Sequence, residues 1–344
     1  MKIAVVGAGE IGRLRARSVE AVSGASLAGV ADVDEAAARR AAGAPGVRTE
    51  RDYRPFLDDP DIGAVIISTP VTLHEEMVLA ALQAGKHVLV EKPLSNSLES
   101  CRRIHAAAMR SGVTVAVGFN HRYYHAMKYL KESVDNGSIG TLEMLRIFGG
   151  HDGLHNFRAD WMYQGSLSGG GAMMDVGIHM TDLARFVMGE IREVYGVATG
   201  GTWKVAGSED RALAIFKAVS GATATYEATW NEWKGYEVYV EAYGEKGMVR
   251  GAYAPMSNLL ITQDRPGAPR RRTVKRYLDL IVKEKVLGWQ STTLTTFEQE
   301  LADFLRRIAG EVVPLADTLD GLRAVEIAHA VYTSTRTGAA VPIG

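Results

Sequence analysis

The sequence predicts an α/β protein of two domains, the first built on a parallel sheet and the second an α+β domain on a large, open-faced, mostly antiparallel sheet. Three observations carry this. Over the first 120 residues short apolar runs alternate with helical patterns, the order that a parallel sheet covered by helices requires. From Thr141 the runs lengthen and alternate apolar with polar positions, as strands with one open face do. The length of 344 residues, 47% of them hydrophobic and 23% charged, favours two hydrophobic cores over one. The expected domains are 1–120 and 121–344.

In chain order, strands are expected at Lys2 to Val6, Ser26 to Ala31, Ala64 to Ser68, His87 to Val90 and Thr114 to Gly118. Helices fall between them. One runs from Ile11 to Val22 out of a glycine turn, one from His74 to Ala84 stops at Gly85, and one from Leu98 to Arg110 follows Ser95, Asn96 and Ser97 as cap signal. The second domain reads as strands at Leu142 to Gly149, Val194 to Thr199, Ala212 to Val219, Ala222 to Trp230, Tyr236 to Tyr243, Met248 to Gly251 and Leu259 to Thr262. Helices are expected at His125 to Asn136, Ala172 to Met188, Thr295 to Ile308 and Thr318 to Arg336. The basic stretch from Arg265 to Lys285 reads as a solvated excursion from the sheet.

Composition narrows the partners. Lys+Arg 39 against Asp+Glu 40 gives a formal net charge of -1, so no global field recommends nucleic acid or an anionic membrane. Cys101 is the single cysteine and there is no Cys/His cluster at metal-ligand spacing, so no metal is expected. No secretory signal and no membrane-length apolar run is present. These features fit a cytoplasmic protein.

The chemistry begins at Gly7, Gly9 and Gly12, which follow a strand and open a helix. In that context the glycines allow a tight turn and let a pyrophosphate approach the helix N-terminus. Asp32 stands at the end of the second strand, 20 residues after Gly12, where a carboxylate reaches ribose hydroxyls. With Asp34 beside it, NAD is expected in preference to NADP. Ser68, Thr69, Pro70 and His74 follow the third expected strand, and Glu91, Lys92 and Pro93 the fourth; ligands of open parallel sheets bind at that edge. Pro93 holds Lys92 extended and aims its amine away from the sheet. A surface ion pair is the lesser alternative for Glu91 and Lys92.

Asp175 and His179 are four apart, so a helix over Ala172 to Met188 projects both from one face. Gly169, Gly170 and Gly171 let backbone and ligand come close, and Asp182 and Arg185 continue the polar row. Spacing alone fits a solvated face as well as a cleft. The apolar opposite face, with Met174, Ile178, Leu183, Phe186 and Val187, already supplies a packing surface and leaves the polar row for a site. The segment from His151 to Trp161, with His155 and Arg158, offers the donors and aromatic area that suit a polyhydroxylated ligand.

Together these residues resemble the Gfo/Idh/MocA oxidoreductase family over nearly the whole chain. The resemblance is carried by Gly7 to Gly12, Ser68-Thr69-Pro70, His74, Glu91-Lys92-Pro93, Gly118 to Arg122, Gly170-Gly171 with Asp175, Gly177, His179 and Asp182, Tyr243 to Gly247, and Asp320 to Tyr332. It implies an N-terminal Rossmann dinucleotide-binding domain followed by an open-faced sheet domain that binds substrate. The strands from Leu213 to Tyr243 carry apolar and aromatic residues on both faces, among them Ile215, Tyr226, Trp230, Trp233, Tyr236 and Tyr239, and one helical layer covers only one face, so a homodimer or homotetramer is expected. The resemblance implies Lys92, Asp175 and His179 as the catalytic set. It implies cofactor contacts from Gly7, Gly9, Glu10, Ile11, Gly12, Asp32, Ser68, Thr69, Pro70, His74, Glu91, Lys92 and Asn120, and substrate contacts from Lys92, Arg122, His151, His155, Arg158, Trp161, Asp175 and His179. A histidine at 179, where some relatives carry tyrosine, favours the dehydrogenases of sugars, nucleotide sugars and cyclitols. An NAD-dependent glycosidase and a non-catalytic dinucleotide-binding regulator are the alternatives, and the complete Lys-Asp-His set argues against the regulator.

Overall fold

The computed structural model describes residues 1–153, 160–265 and 267–344. Two compact units emerge, Met1–Asn120 with Glu284–Leu322, and His121–Lys283 with Arg323–Gly344.

The first unit is a six-stranded sheet. Its strands are β1 (Lys2–Val6), β2 (Ser26–Ala31), β3 (Arg48–Glu50), β4 (Ile62–Ile67), β5 (His87–Glu91) and β6 (Val115–Gly118), in the order β3-β2-β1-β4-β5-β6 and all parallel. This is the doubly wound order in which the chain reverses direction between β1 and β4. Ile3, Ala4 and Val5 are fully buried, as a strand covered on both faces must be. The connecting helices are α1 (Glu10–Ala21), α2 (Glu35–Ala42), α3 (Arg54–Leu57), α4 (His74–Gln83) and α5 (Leu98–Ser111). The Asp34 carboxylate caps α2 by accepting from Ala36 and Ala37, and the Ser97 hydroxyl caps α5 by accepting from Ser100 at 3.1 Å. α5 stops at Gly112, whose φ of 70° is left-handed. The sequence reading omitted α2, β3 and α3, which are short and carry no strong period.

The second unit holds α6 (His125–Asp135), β7 (Leu142–Gly150), α7 (Gly165–Ser168), α8 (Gly177–Met188), β8 (Ile191–Thr199), β9 (Arg211–Ala218), β10 (Thr223–Thr229), β11 (Glu237–Gly244), β12 (Gly247–Tyr253), β13 (Ser257–Thr262) and β14 (Arg271–Arg276). With β15 (Val341–Pro342) these strands form a nine-stranded sheet ordered β14-β13-β12-β11-β7-β10-β9-β8-β15. Its pairs are antiparallel except β7 with β10. α8 packs close to the sheet, because a side chain on Gly149 would meet Met180 Cγ at 2.5 Å and one on Gly177 would meet Tyr226 Oη at 2.4 Å. β9 alternates exposed and buried residues throughout.

The compact units cross the expected boundary at residue 120: after α9 (Leu278–Leu287), α10 (Gln290–Ile308) groups with the first unit, and α11 (Thr318–Thr337) follows. Leu301, Phe304, Val313 and Leu315 are buried in the same core as Ile3, Val5, Ile66 and Leu89, and each such side chain contributes roughly 1.5–3 kcal/mol on burial. The basic stretch is not only an excursion, since Arg271–Arg276 adds the edge strand β14, exposed along its whole length. Charged residues on an edge strand discourage unwanted pairing. Among the described residues no helix is long and apolar enough to cross a membrane.

Candidate active site

In the first unit the glycine turn lies at the reversal between β1 and β4. Gly7 has φ of +93° and a side chain there would meet Ser68 O at 2.6 Å, while one on Gly12 would meet Gly7 O at 1.8 Å. Around Gly9 nothing stands within 4 Å of where a side chain would point. Gly9 caps α1 without any side-chain hydrogen bond to its first turn. Backbone N–H groups of Glu10 and Ile11 thus open a helix N-terminus suited to an anion. Asp32 accepts from Ala8 N at 2.6 Å through Oδ2 and from Asp34 N at 2.8 Å through Oδ1. This arrangement fits a dinucleotide: an open cradle at Gly9, an uncapped helix start, and a carboxylate fixed at the end of β2.

Ser68, Thr69 and Pro70 follow β4, and Ser68 N donates to Val6 O at 2.7 Å. His74 is 1% exposed, with Nδ1 3.0 Å from Pro93 O and Nε2 3.1 Å from Thr69 O. Both ring nitrogens of His74 thus face backbone carbonyls. Its ring ties the Thr69 turn to Pro93, and burial pushes its pKa below the ordinary imidazole value, against the pull of the two carbonyls.

Glu91 is likewise committed. Arg15, fully buried, pairs with Glu91 Oε1 at 2.6 Å and with Glu300 Oε2 at 2.6 Å, its guanidinium 3.6 Å from the Phe297 ring centroid. The other Glu91 oxygen accepts from Lys92 N at 3.3 Å. Glu91 thus fixes the backbone of Lys92, which follows it half-buried. Asn120, expected at the cofactor, is 7% exposed and donates to Thr296 Oγ1 at 2.9 Å. Sequence reading missed Arg15 and Glu300; their only signal is a charge on the apolar face of each helix.

In the second unit Asp175 and His179 are 6% exposed each. They do not share one helix face as expected, because α8 begins only at Gly177 and Asp175 lies in the turns before it. Those turns are clamped by Glu209, whose carboxylate accepts from Gly171 N at 2.8 Å, Met173 N at 2.7 Å and Tyr332 Oη at 3.2 Å. Burial pushes the Glu209 carboxyl above its ordinary value while the N–H donors pull it back. A side chain on Gly171 would meet Glu209 O at 1.9 Å, so the glycine serves this close approach.

Asp175 Oδ2 accepts from Trp230 Nε1 at 3.1 Å and stands 3.0 Å from His151 Nε2. His151 follows β7 and Trp230 follows β10, so the carboxyl ends of the one parallel pair present both partners. His179 stacks on His121 with ring centroids 3.7 Å apart and planes at 14°. Neither Trp230, read from the sequence only as a sheet aromatic, nor His121 was expected at the site.

The rest of the polar row is occupied. Arg122 donates to Asp182 through Nε at 2.8 Å and Nη2 at 2.5 Å, with both residues buried, and lies over the Phe186 ring. Removing one partner of such a pair costs about 3–5 kcal/mol. In this structure Arg122 supports α8 through Asp182. Arg185, also buried, pairs with Glu190. Trp161 is half-buried in the short helical turn Asp160–Tyr163. His155 and Arg158 lie outside the described residues.

Residues 1–119 match a family model described as an oxidoreductase family with an NAD-binding Rossmann fold, and residues 127–250 match the Gfo/Idh/MocA C-terminal domain. The chain is 30% identical to an uncharacterized oxidoreductase of Bacillus subtilis, covering 98% of this chain and 95% of that protein. It is 28% identical to the myo-inositol 2-dehydrogenase of Thermotoga maritima, covering 97% and 96%. The solved structure of levoglucosan dehydrogenase in complex with NADH shares the fold, with a TM-score of 0.87 at 24% identity, covering 100% of this chain and 99% of that one. The glycine cradle and carboxylate of the first unit, with the two family matches, make the chain a member of the Gfo/Idh/MocA family of NAD-binding oxidoreductases.

Proposed function

We propose that the enzyme, working in the cytoplasm, interconverts a secondary hydroxyl and a ketone on a sugar, nucleotide sugar or cyclitol, with Lys92, Asp175 and His179 as its catalytic set. The observation that carries the reading is the buried Asp175 carboxylate, held by Trp230 and His151 a few residues from a buried His179. Myo-inositol 2-dehydrogenase among the relatives supports a polyol as substrate. NAD, held by Gly7, Gly9, Gly12, the first turn of α1 and Asp32, supplies the hydride acceptor in the oxidative direction.

The chain's own groups handle the proton and the charge. His179 takes the hydroxyl proton as general base in oxidation and returns it in reduction. The Lys92 ammonium stabilises the alkoxide charge that develops on the same oxygen. Asp175, fixed by two donors on one oxygen, orients the substrate or tunes the imidazole. His151 and Trp161 add a polar and an aromatic contact for the ring hydroxyls and C–H faces.

The open face of the second sheet, on this reading, pairs with another copy to give a homodimer or homotetramer. Tyr195 lies opposite Ile215 and Val197 opposite Leu213 in the β8–β9 register, and all four are 42–48% exposed. Four adjacent apolar side chains on an open sheet suit a protein partner better than water.

Variants at the catalytic set test the assignment. His179→Ala should lose on the order of 10² to 10⁴ in turnover while NADH affinity, read by fluorescence titration, stays nearly unchanged, since proton transfer belongs to the transition state. Lys92→Ala should weaken turnover and substrate binding together, and Lys92→Arg should not restore them because the planar fork places its charge elsewhere. Full turnover in His179→Ala would remove the histidine from the mechanism.

A further inference from the structure

We infer that His121 is a positioning residue for His179, holding the plane of its imidazole during proton transfer. The inference rests on reading His179 as the acid–base group. Both rings are buried, His121 at 5% and His179 at 6% exposed, and they lie face to face at 3.7 Å with only 14° between planes. At that spacing neither ring can turn about its Cβ–Cγ bond without driving an edge into the other.

His121 is itself held. Its Nε2 lies 3.2 Å from Tyr236 Oη, and its ring is 4.7 Å from that of Tyr124. Tyr124 and Tyr236 both pack on Tyr253, at 4.7 Å and 5.8 Å between centroids. The three tyrosines come from the turn before α6, the turn before β11, and the end of β12. They form a shelf of rigid aromatic area, and such side chains lose little conformational entropy when fixed. The order of support runs from the shelf to His121 and from His121 to His179. The stack therefore acts on the plane of the His179 ring itself.

Orientation of this kind acts on rate more than on binding. A proton-transfer group must come within about 2.6–3.2 Å of its partner atom, and a misplacement near 1 Å costs on the order of 10² in rate. Removing the stack should therefore lower kcat and spare KM.

The test compares His121→Ala, His121→Phe and Tyr236→Phe with the wild type and His179→Ala, using myo-inositol and NAD for turnover, NADH fluorescence for cofactor binding, and thermal melting to confirm folding. His121→Ala should lose tenfold or more in kcat with KM and NADH affinity within about threefold; His121→Phe, which keeps a flat ring, should recover most of the loss; Tyr236→Phe should fall between. A readout independent of substrate comes from NMR of histidine ring protons in labelled enzyme. The His179 protons lie over a neighbouring ring and should shift upfield in the wild type and in His121→Phe, and return downfield in His121→Ala. Unmoved His179 resonances in His121→Ala would overturn the stack, and equal kcat losses in the Ala and Phe variants would overturn the positioning role. Turnover retained in His179→Ala would instead sink the underlying catalytic reading, and with it this one.

Discussion

β1 and β9 show how differently the two sheets of this chain are used. β1 buries Ile3, Ala4, Val5 and Val6 in succession, because helices cover both faces of the first sheet. β9 buries only every second residue, Ala212, Ala214, Phe216 and Ala218, and leaves Leu213 and Ile215 exposed. In the first unit the working surface is the edge of the sheet, and the backbone does most of the recognition: a glycine cradle, an open helix start and one fixed carboxylate. In the second unit the groups proposed to work are side chains held by other side chains from distant strands, and β8 and β9 leave an apolar face exposed. Edge sites tolerate little change of backbone. Side-chain sites depend on partners.

The largest effect expected from this difference is on assembly. If the open face of β8 and β9 pairs copies, Leu213→Asp with Ile215→Asp should convert a dimer or tetramer to a monomer in light scattering at micromolar concentration. Two aliphatic side chains buried at an interface contribute roughly 3–6 kcal/mol between them, about 10² to 10⁴ in dissociation constant. A monomeric wild type would show that the exposed face has another use.

A smaller effect sharpens the view of the first unit. His74 has its pKa lowered by burial, so the unfolded chain takes up a proton as pH falls below 6.5 and the folded chain does not. Its contribution to stability is present above that value and is lost toward acid. His87, His125 and His329 are shifted in the same direction by burial. The melting temperature should fall between pH 7 and pH 5, and fall less steeply in His74→Gln. An unchanged slope in that variant would mean that His74 gains its proton in the folded state as readily as in the unfolded.

What could be read from sequence follows the same division. Gly7, Gly9, Gly12 and Asp32 are legible because a turn, a helix start and a strand end impose fixed residue types at fixed spacing. Asp175 and His179 are legible as a pair, but not their geometry, since α8 begins after Asp175 and the glycine turn is set by Glu209, far along the chain. The pairing of Arg122 with Asp182 was not legible, because the two are 60 residues apart. His121 stood within a recognised motif yet gave no sign of stacking, which only the fold creates. The return of residues 284–322 to the first core was hidden for a similar reason: Leu301 and Phe304 announce a buried helix face, and nothing local says which core receives it.

On the proposed reading a polyol gives up its hydride to NAD. The direct measurement is absorbance of the reduced cofactor when the purified enzyme meets myo-inositol, other cyclitols, sugars and nucleotide sugars with NAD or NADP in turn. The account predicts that at least one of these polyols reduces NAD, and that NADP serves poorly because Asp32 and Asp34 repel a 2′-phosphate. Reduced cofactor from none of them, or a clear preference for NADP, would contradict it.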